Sequence, residues 1–250
     1  MSPNKSRNLG FAHVDTEFVA FNDNDVLFTP GWLNKLVACA DEEDAAVIGP
    51  LILLGEPPLQ KVHSAGGLGT IEETPLGRRY HQKQRYSETP ISEVSLDALR
   101  RGPVDTLEFH WLLARTNIVR RFPFDEALQT LLEFEDFCLE VARAGERIVF
   151  EPAAVVAQLL PPVVPRSFAE TAFFLQRWHP RKNLASIVHF RQKWSLTSDD
   201  PALRDVLHWT NARRRGLLRL PALRPVRPRV AGIHRRRQAD PFSTGPCPDT

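Results

Sequence analysis

Several features that define other protein classes are missing from this sequence of 250 residues. Its three cysteines, Cys39, Cys138 and Cys247, are far apart and lack the spacing of a zinc site, so we expect reduced thiols. No apolar run approaches the length of about 18 residues that a membrane span needs. The opening segment MSPNKSRNLG also lacks the apolar centre of a secretory signal. These absences predict a cytoplasmic protein.

Lysine is absent from residues 211–250, which carry ten arginines against two aspartates, a net charge of +8. The remaining 22 basic and 28 acidic residues give residues 1–210 a net charge of −6. Proline alternates with arginine in the C-terminal segment and periodic apolar positions are few, which predicts a disordered basic tail. A solvated appendage is the favoured interpretation. Contact with nucleic acid or a peripheral membrane position is weakly supported, because aromatic platforms are absent.

Three common motifs for ions and nucleotides are also missing. A calcium loop counted from Asp23 would need glycine at its sixth position and glutamate at its twelfth, where the chain has Phe28 and Asn34. No GxxxxGK[ST] phosphate loop occurs. The GGLG segment at 66–69 follows no clear strand and opens no helix, so it is a poor dinucleotide motif.

The most informative stretch that is present is EFVAFNDNDV, residues 17–26. Its apolar run predicts a short buried strand, and Asp23, Asn24 and Asp25 follow where that strand would leave the sheet. In open α/β sheets ligands bind at the carboxyl ends of strands, and carboxylates suit Mg²⁺ or Mn²⁺. The stretch therefore predicts a metal site, although an isolated DxD is more often a plain turn.

The residues after this turn predict a helix and a second strand. Thr29 is a good N-cap, Pro30 suits the first helical position, and apolar residues recur at helical spacing from Trp32 onward. The apolar segment 45–49 predicts another buried strand. A strand, helix, strand unit favours a parallel strand pair, so we predict an α/β fold.

The rest of the chain is predicted in less detail. Residues 54–104 are polar and rich in glycine and proline, which favours a long substrate loop. Beyond it we predict a strand over 106–115, a helical turn capped by Thr116, a helix over 134–144 ended by Gly145, a strand over 147–150, and helices over 168–178, 179–194 and 202–209.

A second group of acids, Glu133, Glu135 and Asp136, lies at the start of the helix predicted over 134–144. Acids at a helix start commonly serve as caps and as partners of the helix dipole. They can also supply a general base that takes a proton from a hydroxyl nucleophile. We give these two interpretations even weight.

Four segments together resemble one family. They are RNLG at 7–10, EFVAFNDNDVLFTPGWLNKL at 17–36, EFHWLLART at 108–116 and EFEDFCLEVARAGERIVFEPAAVV at 133–156. In this order they are similar to the second half of a family 2 glycosyltransferase domain with the nucleotide-diphospho-sugar transferase fold. The resemblance covers roughly residues 5–157.

The resemblance implies a donor site and a metal cofactor. Asp23, Asn24 and Asp25 would bind the nucleotide-sugar donor, and Asp23 and Asp25 would hold Mn²⁺ or Mg²⁺ against its diphosphate, with Asp25 favoured as the direct ligand. The charge of the ion would stabilise the departing nucleotide.

The same resemblance implies an acceptor site. An acid among Glu133, Glu135 and Asp136 would activate the acceptor hydroxyl, giving inversion by a single displacement. Alignment to the family form EDxDLC leaves two registers open, one placing Phe134 at the base and the other Asp136. Trp111 and His110 would line the acceptor site, although a core strand explains them equally well.

The chain also departs from the family pattern. The strand of the type VSVVIPTYN that normally opens the domain, and with it the nucleotide-binding half, is absent, so the strand at Phe18 would have an unpaired edge. Val156, Ala157 and Gln158 stand where many members carry a metal-binding histidine.

We therefore expect an incomplete Rossmann-like domain over 1–160, a helical extension over 161–210 and the basic tail over 211–250. The expected function is metal-dependent, inverting transfer of a sugar from a nucleotide-sugar donor to a hydroxyl acceptor, by analogy in polysaccharide biosynthesis. The alternative is a catalytically inactive truncated remnant, or a binding subunit whose partner chain completes the sheet.

Overall fold

The apolar run at Phe18 forms the expected strand, which lies at one end of a mixed sheet. The computed structural model describes residues 1–55, 57, 60–159 and 168–218, and Met1–Leu217 form one unit. Its strands are β1 Phe18–Asn22, β2 Val26–Phe28, β3 Val47–Leu54, β4 Lys61–Ser64, β5 Gly67–Thr74, β6 Gly77–Gln84, β7 Gly102–Pro103, β8 Trp111–Arg115 and β9 Ile148–Gln158.

The helices are α1 Pro3–Phe11, α2 Trp32–Glu42, α3 Thr116–Arg121, α4 Glu133–Arg143, α5 Phe168–Arg177, α6 Pro180–Lys193 and α7 Pro201–Leu218. Two short 3-10 turns, Ile91–Glu93 and Leu96–Ala98, precede β7. Within the described ranges, no helix has the length and apolar character needed to span a membrane. Cys39 and Cys138 are buried free thiols, as predicted, and Cys247 lies outside the described residues.

The main sheet has the strand order β1, β8, β3, β9, β2, with β4 added beside β3 and β7 beside β9. The predicted α/β class is confirmed, but the predicted pairing of the first two strands is wrong. Strand β8 inserts between β1 and β3 and is antiparallel to both, so β1 and β3 share a direction without touching. The parallel partner of β3 is β9.

The acidic turn forces this sheet to bend. Only Asp23, Asn24 and Asp25 connect β1 with β2, which stand at opposite ends of the strand order. Four Cα steps span at most roughly 14 Å, whereas the end strands of a flat five-stranded sheet lie roughly 19 Å apart. The parallel register of β3 and β9 shifts between Pro50 and Leu51, where β9 contains three extra residues, 152–154. This irregularity lies along β9 before its C-terminal end pairs with β2.

Helices cover both faces of the sheet. On one face, side chains of α3 and α4 pack against the strands in a core that includes Phe21, Phe109, Phe124 and Phe137. On the other face, α2 packs over a second core that includes Trp111. Alternate residues of β1 therefore face opposite cores, with Phe18 packed against the α2 core and Phe21 buried in the α4 core.

Residues 54–104 are not the irregular loop that we predicted. Glycines 67 and 69 are part of the hairpin β5–β6, whose strands pair over their full length from Gly67 with Gln84 to Thr74 with Gly77. A side chain at Gly69 would collide with Thr106, which explains why this strand tolerates a residue that usually weakens strands. Tyr80 of the hairpin packs beneath α6 in a third core.

Local details of the helices also differ from the expectations. Helix α2 begins at Trp32 after Gly31, which has a positive φ of 74°, while the Thr29 hydroxyl donates to Val155 O instead of capping the helix. Helices α3 and α4 form where predicted, but the N-cap of α3 is Arg115 and not the predicted Thr116. Helix α7 continues to Leu218, beyond residue 211 where the tail was predicted to begin. The disorder predicted for the tail concerns residues 219–250, which lie outside the described residues.

Candidate functional site

The acidic turn is anchored on both sides by main-chain hydrogen bonds. Asp23 N donates to His110 O at 3.2 Å, just before β8, and Leu159 N donates to Asp25 O at 2.8 Å, just after β9. The turn thus lies where the start of β8 and the end of β9 meet, and its backbone is fixed while its side chains remain partly exposed. A ligand can reach these carboxylates from solvent.

Asp23 is paired with a histidine. Its Oδ2 lies 2.7 Å from His110 Nδ1, and the Asp23 side chain is 40% exposed. Burial alone would raise the pKa of Asp23, but the hydrogen bond to His110 and the positive charges of His110, Arg7 and Arg177 outweigh it and lower the pKa. Burial would lower the pKa of His110, but Asp23 and Glu108 more than offset that effect and raise it. Asp23 is therefore a carboxylate held in one orientation.

Asp25 has a different environment from Asp23. Its Oδ1 is buried and has no hydrogen-bond partner among the residues that the structure describes, although a buried carboxylate oxygen normally finds one. An oxygen in this state has the hard, anionic chemistry that Mg²⁺ or Mn²⁺ binds. The predicted metal motif therefore fits a divalent cation through Asp25, with Asp23 beside it. Asn24 is exposed between the two.

Two arginines near the turn were not assigned roles from the sequence. The guanidinium of Arg7 lies 4.3 Å from the Phe109 ring centroid. The negative charges of Glu133 and Asp23 act to raise its pKa. Burial lowers the pKa of Arg7. Arg177 of α5 donates a hydrogen bond to Thr130 O. Its positive charge acts to lower the pKa of both Asp23 and Glu133. The RNLG segment contained Arg7, but nothing local showed that it would face the acidic turn.

The structure separates the three acids of α4. Glu133 is buried, and burial raises its pKa. The positive charges of Arg177 and Arg7 partly offset that effect, and the negative charge of Asp23 adds to it. Of the three acids, Glu133 is the one whose pKa responds to the charge of Asp23.

Glu135 and Asp136 are directed elsewhere. Burial raises the pKa of Glu135 to about 8; one oxygen accepts from Gln82 Nε2 at 3.1 Å and the other is buried without a hydrogen-bond partner. Asp136 accepts from Lys193 Nζ at 2.7 Å and Trp194 Nε1 at 2.8 Å. Asp136 thus fastens α6 to α4.

The two predicted acceptor residues also differ. His110 is partly exposed at the turn, whereas Trp111 is fully buried and packs edge to face against Trp32 at 4.5 Å. For Trp111 the structure favours the core-strand interpretation over the acceptor site. Gln158, at the position where the family pattern would have a histidine, places its Nε2 3.2 Å from His110 Nδ1. His110 thus lies beside that position, although it comes from another element.

A cleft of about 320 Å³ lies at the opposite end of β1. It is lined by Asp15, Thr16, Glu17, Arg115, Thr116, Asn117 and Arg120. This lining includes none of the residues predicted for donor, metal or acceptor binding. The geometry of the acidic turn, and not the size of a cavity, therefore defines the candidate site.

A mixed α/β sheet that presents a paired aspartate and an unpartnered aspartate at a strand end is typical of proteins that bind phosphorylated ligands through a cation. Residues 3–107 match the model of the family described as glycosyl transferase family 2. The resemblance to family 2 glycosyltransferases that the sequence predicted is confirmed for this matched part of the chain.

The relatives by sequence include pre-mycofactocin glycosyltransferase from two strains of Mycobacterium tuberculosis, CDC 1551 / Oshkosh and ATCC 25618 / H37Rv. Each is 30% identical over 162 residues, which cover 62% of this chain and 29% of the relative. The chain thus spans less than a third of the length of these curated relatives.

Among solved structures, the crystal structure of GalNAc-T7 with UDP, GalNAc and Mn²⁺ overlaps with 84% of this chain and 41% of its own at 11% identity, with a TM-score of 0.48. Staphylococcus aureus TarS 1-349 in complex with UDP overlaps with 85% of this chain and 51% of its own at 16% identity, with a TM-score of 0.40. At these values the overlaps carry no argument about the site.

Proposed function

We propose that this chain carries the metal-binding and acceptor-activating part of a glycosyltransferase that moves a sugar from a nucleotide-sugar donor to a hydroxyl acceptor with inversion. The observation that carries the proposal is the environment of Asp25, whose buried Oδ1 lacks a hydrogen-bond partner among the described residues. The resemblance to family 2 glycosyltransferases supplies the reaction class, and the activity of the whole protein is part of the proposal.

The donor diphosphate would lie at the acidic turn. Asp25 would hold Mg²⁺ or Mn²⁺ directly, and Asp23, oriented by His110, would support it from beside. When bound, the ion would neutralise charge on the departing nucleoside diphosphate. Arg7, buried near Asp23, would contribute a fixed positive charge to the same region.

Glu133 is our choice of general base. Inverting transfer needs a carboxylate that removes the acceptor proton as the new bond forms at the anomeric carbon and the bond to the diphosphate breaks. Of the three α4 acids, Glu133 has a pKa that responds to Asp23 of the turn, whereas Asp136 is occupied by Lys193 and Trp194. A raised pKa makes Glu133 a better proton acceptor than an ordinary surface carboxylate.

Arg177 would set the strength of this base. Its positive charge favours the ionised form of Glu133, against the effect of burial. Arg177 comes from α5 and Glu133 from α4, so the proposed base needs the helices that follow β9. This gives the helical region beyond β9 a role in the site.

The proposal is tested by thermal melts of the full chain with Mn²⁺ and a panel of nucleotide sugars. A ligand that binds only the folded state raises the melting temperature. We expect donor with Mn²⁺ to stabilise the parent chain and Asp25→Asn to abolish this stabilisation. Asp199→Asn, which changes an exposed carboxylate 3.6 Å from Arg79, is the matched control and should behave as the parent. Equal stabilisation of parent and Asp25→Asn would reject the proposal.

One observation favours the alternative function, a binding subunit completed by a partner chain. Within the part of the chain that the structure describes, β1 pairs with β8 along one edge and with no strand along the other. An open strand edge is a template for pairing with another chain. The alternative predicts self-association of the isolated chain in sedimentation experiments, and a monodisperse monomer with a sharp, cooperative melt would contradict it.

A further inference from the structure

Three potential metal ligands converge beside the acidic turn, outside the DxD pair. They are His63 of β4 and, from the segment before β8, Glu108 and His110, and their ligand atoms all lie within 4.8 Å of one another. His63 Nε2 is 2.9 Å from Glu108 Oε2, and His110 Nε2 is 3.5 Å from the same oxygen. In a tetrahedral site with bonds of 2.0–2.1 Å, neighbouring ligand atoms stand about 3.3 Å apart.

A single hydrogen-bonded pair accounts for only part of this cluster. His63 Nε2 lies 2.9 Å from Glu108 Oε2, and this contact with His63 helps to lower the pKa of Glu108. His110 directs its Nε2 at the same carboxylate oxygen, so two imidazoles converge on one buried carboxylate. Two ring nitrogens and a carboxylate oxygen gathered at one point are a set that a single ion can hold together.

The ring orientation of His110 supports the same conclusion. Its Nδ1 lies 2.7 Å from Asp23 Oδ2, and a carboxylate can only accept, so Nδ1 donates its proton to Asp23. When an ion takes the place of the proton on Nε2, the lone pair of Nε2 is directed towards Glu108. Metal-bound histidines usually donate their other ring N–H to a carboxylate, which fixes the tautomer and strengthens the ligand. Asp23 would supply this outer contact.

The donor set selects the class of ion. Two imidazoles and one carboxylate suit Zn²⁺ and related transition metals, whereas Mg²⁺ prefers oxygen ligands only. Glu108 is buried and β4 is paired with β3, so two of the ligands are held by the sheet and its flanking segment. Three protein ligands leave a fourth position for water or another ligand.

We infer that His63, Glu108 and His110 form a binding site for a Zn²⁺-class ion, which ties β4 and the segment before β8 to the acidic turn through Asp23. The site is separate from the cation held by Asp25 and does not depend on sugar transfer.

The test uses full-length chain stripped with a chelator and titrated with Co²⁺, whose visible absorption reports four-coordinate binding with nitrogen ligands, followed by competition with Zn²⁺. The parent chain should bind one Co²⁺ that Zn²⁺ displaces. His63→Asn and Glu108→Gln should each weaken binding at least tenfold. Asp23→Asn, which removes only the outer contact, should weaken it about 10- to 100-fold.

Two control variants distinguish this site from surface histidines and from the donor cation. His81→Asn removes a histidine 3.0 Å from Glu72, a similar pair that has an exposed setting and no third ligand, and it should bind Co²⁺ as the parent does. Asp25→Asn should also retain Co²⁺ binding, which distinguishes this ion from the cation that Asp25 would hold for the donor. Circular dichroism identifies variants that fail to fold. If His63→Asn fails to fold, the Co²⁺ affinity of Glu108→Gln tests the inference in its place. Parent-like affinity in either folded variant, or no saturable binding by the parent, would overturn the inference.

Discussion

Glu133 and Asp136 stand three residues apart in the first turn of one helix, yet their surroundings are opposite. Glu133 is buried and is influenced by the charges of Arg177, Arg7 and Asp23. Asp136 is equally buried but accepts two short hydrogen bonds, from Lys193 and Trp194. One carboxylate is coupled to the charge of Asp23 in the acidic turn, and the other fastens α6 to α4.

The difference shows how one acidic segment can serve both chemistry and stability. Because α4 is amphipathic and packs on the sheet, residues on adjoining sides of its first turn meet different neighbours. Asp136 is saturated by two hydrogen bonds, whereas Glu133 meets the charges of Arg177 and Arg7, so that on our proposal it keeps the capacity to accept a proton. The following predictions test this division, beginning with the largest expected effect.

Replacement of the proposed base should have the largest effect. Glu133→Gln should lower the rate of nucleoside diphosphate release from an active donor by about 10²- to 10⁴-fold, because the proton acceptor is lost while the shape is kept. The measurement is a coupled assay of nucleoside diphosphate, with melting temperature as the check on folding. Asp136→Asn should stay within about tenfold of the parent once correctly folded, and the reverse ranking would identify Asp136 as the base.

Removal of the structural carboxylate should mainly affect stability. Asp136→Ala should lower the free energy of unfolding by about 2 kcal/mol, because it deletes two hydrogen bonds, one of them to a charged donor. Lys193 is partly exposed and can be rehydrated, which limits the loss. Urea denaturation measures the change. Glu140→Gln, which also contacts Lys193 but from a more exposed position, is the control and should change the unfolding free energy by less than about 1 kcal/mol.

The pH dependence of the free energy of unfolding should reveal the raised pKa of Glu135. Its pKa is raised to about 8 in the folded chain from an ordinary value of 4.5, so the folded state holds a proton that the unfolded state has released. The contribution of Glu135 to the free energy of unfolding is fully present below its pKa in the unfolded chain. It falls as pH rises towards about 8, by at most about 1.4 kcal/mol per pH unit.

Glu135→Gln should flatten that decline, since glutamine stays neutral throughout. Urea denaturation at several pH values between about 5 and 8 gives the slope. The raised pKa of Glu133 contributes a decline of the same sign, so the variant should keep a smaller slope. Glu72→Gln, at an exposed carboxylate, should leave the slope unchanged, and an unaltered slope in Glu135→Gln would contradict the assignment.

Much of the fold could be predicted because local patterns determine it. Apolar periodicity is present in the strand at Phe18, in helix α2 and in helix α4. The apolar residues of these elements then form the cores. The insertion of β8 between β1 and β3 could not be read from neighbouring residues, because its paired residues are 65 to 97 positions apart in the sequence. The hairpin at 67–84 was missed because its glycines fit beneath Thr106, a contact that no local pattern reveals.

The candidate site likewise contains residues that local sequence could predict and residues that it could not. Asp23 and Asp25 were predicted because a strand and its turn are contiguous in sequence. The open choice among Glu133, Glu135 and Asp136 depended on which neighbours each side chain meets, and those neighbours come from α1, α5, α6 and the hairpin. Arg7 and His63 were overlooked for this reason. The family resemblance located the acids but carried no information about their partners.

The bend in β9 couples the lengths of two distant segments. Residues 152–154 are the extra residues of β9 opposite Pro50 and Leu51, and the three residues of the acidic turn bridge to β2 beyond them. Deleting one residue from either segment would shift the pairing of β2 with β9 and turn its side chains to the other face. The turn and the bulge therefore behave as one unit under insertion and deletion, and we expect length changes in one to require compensation in the other.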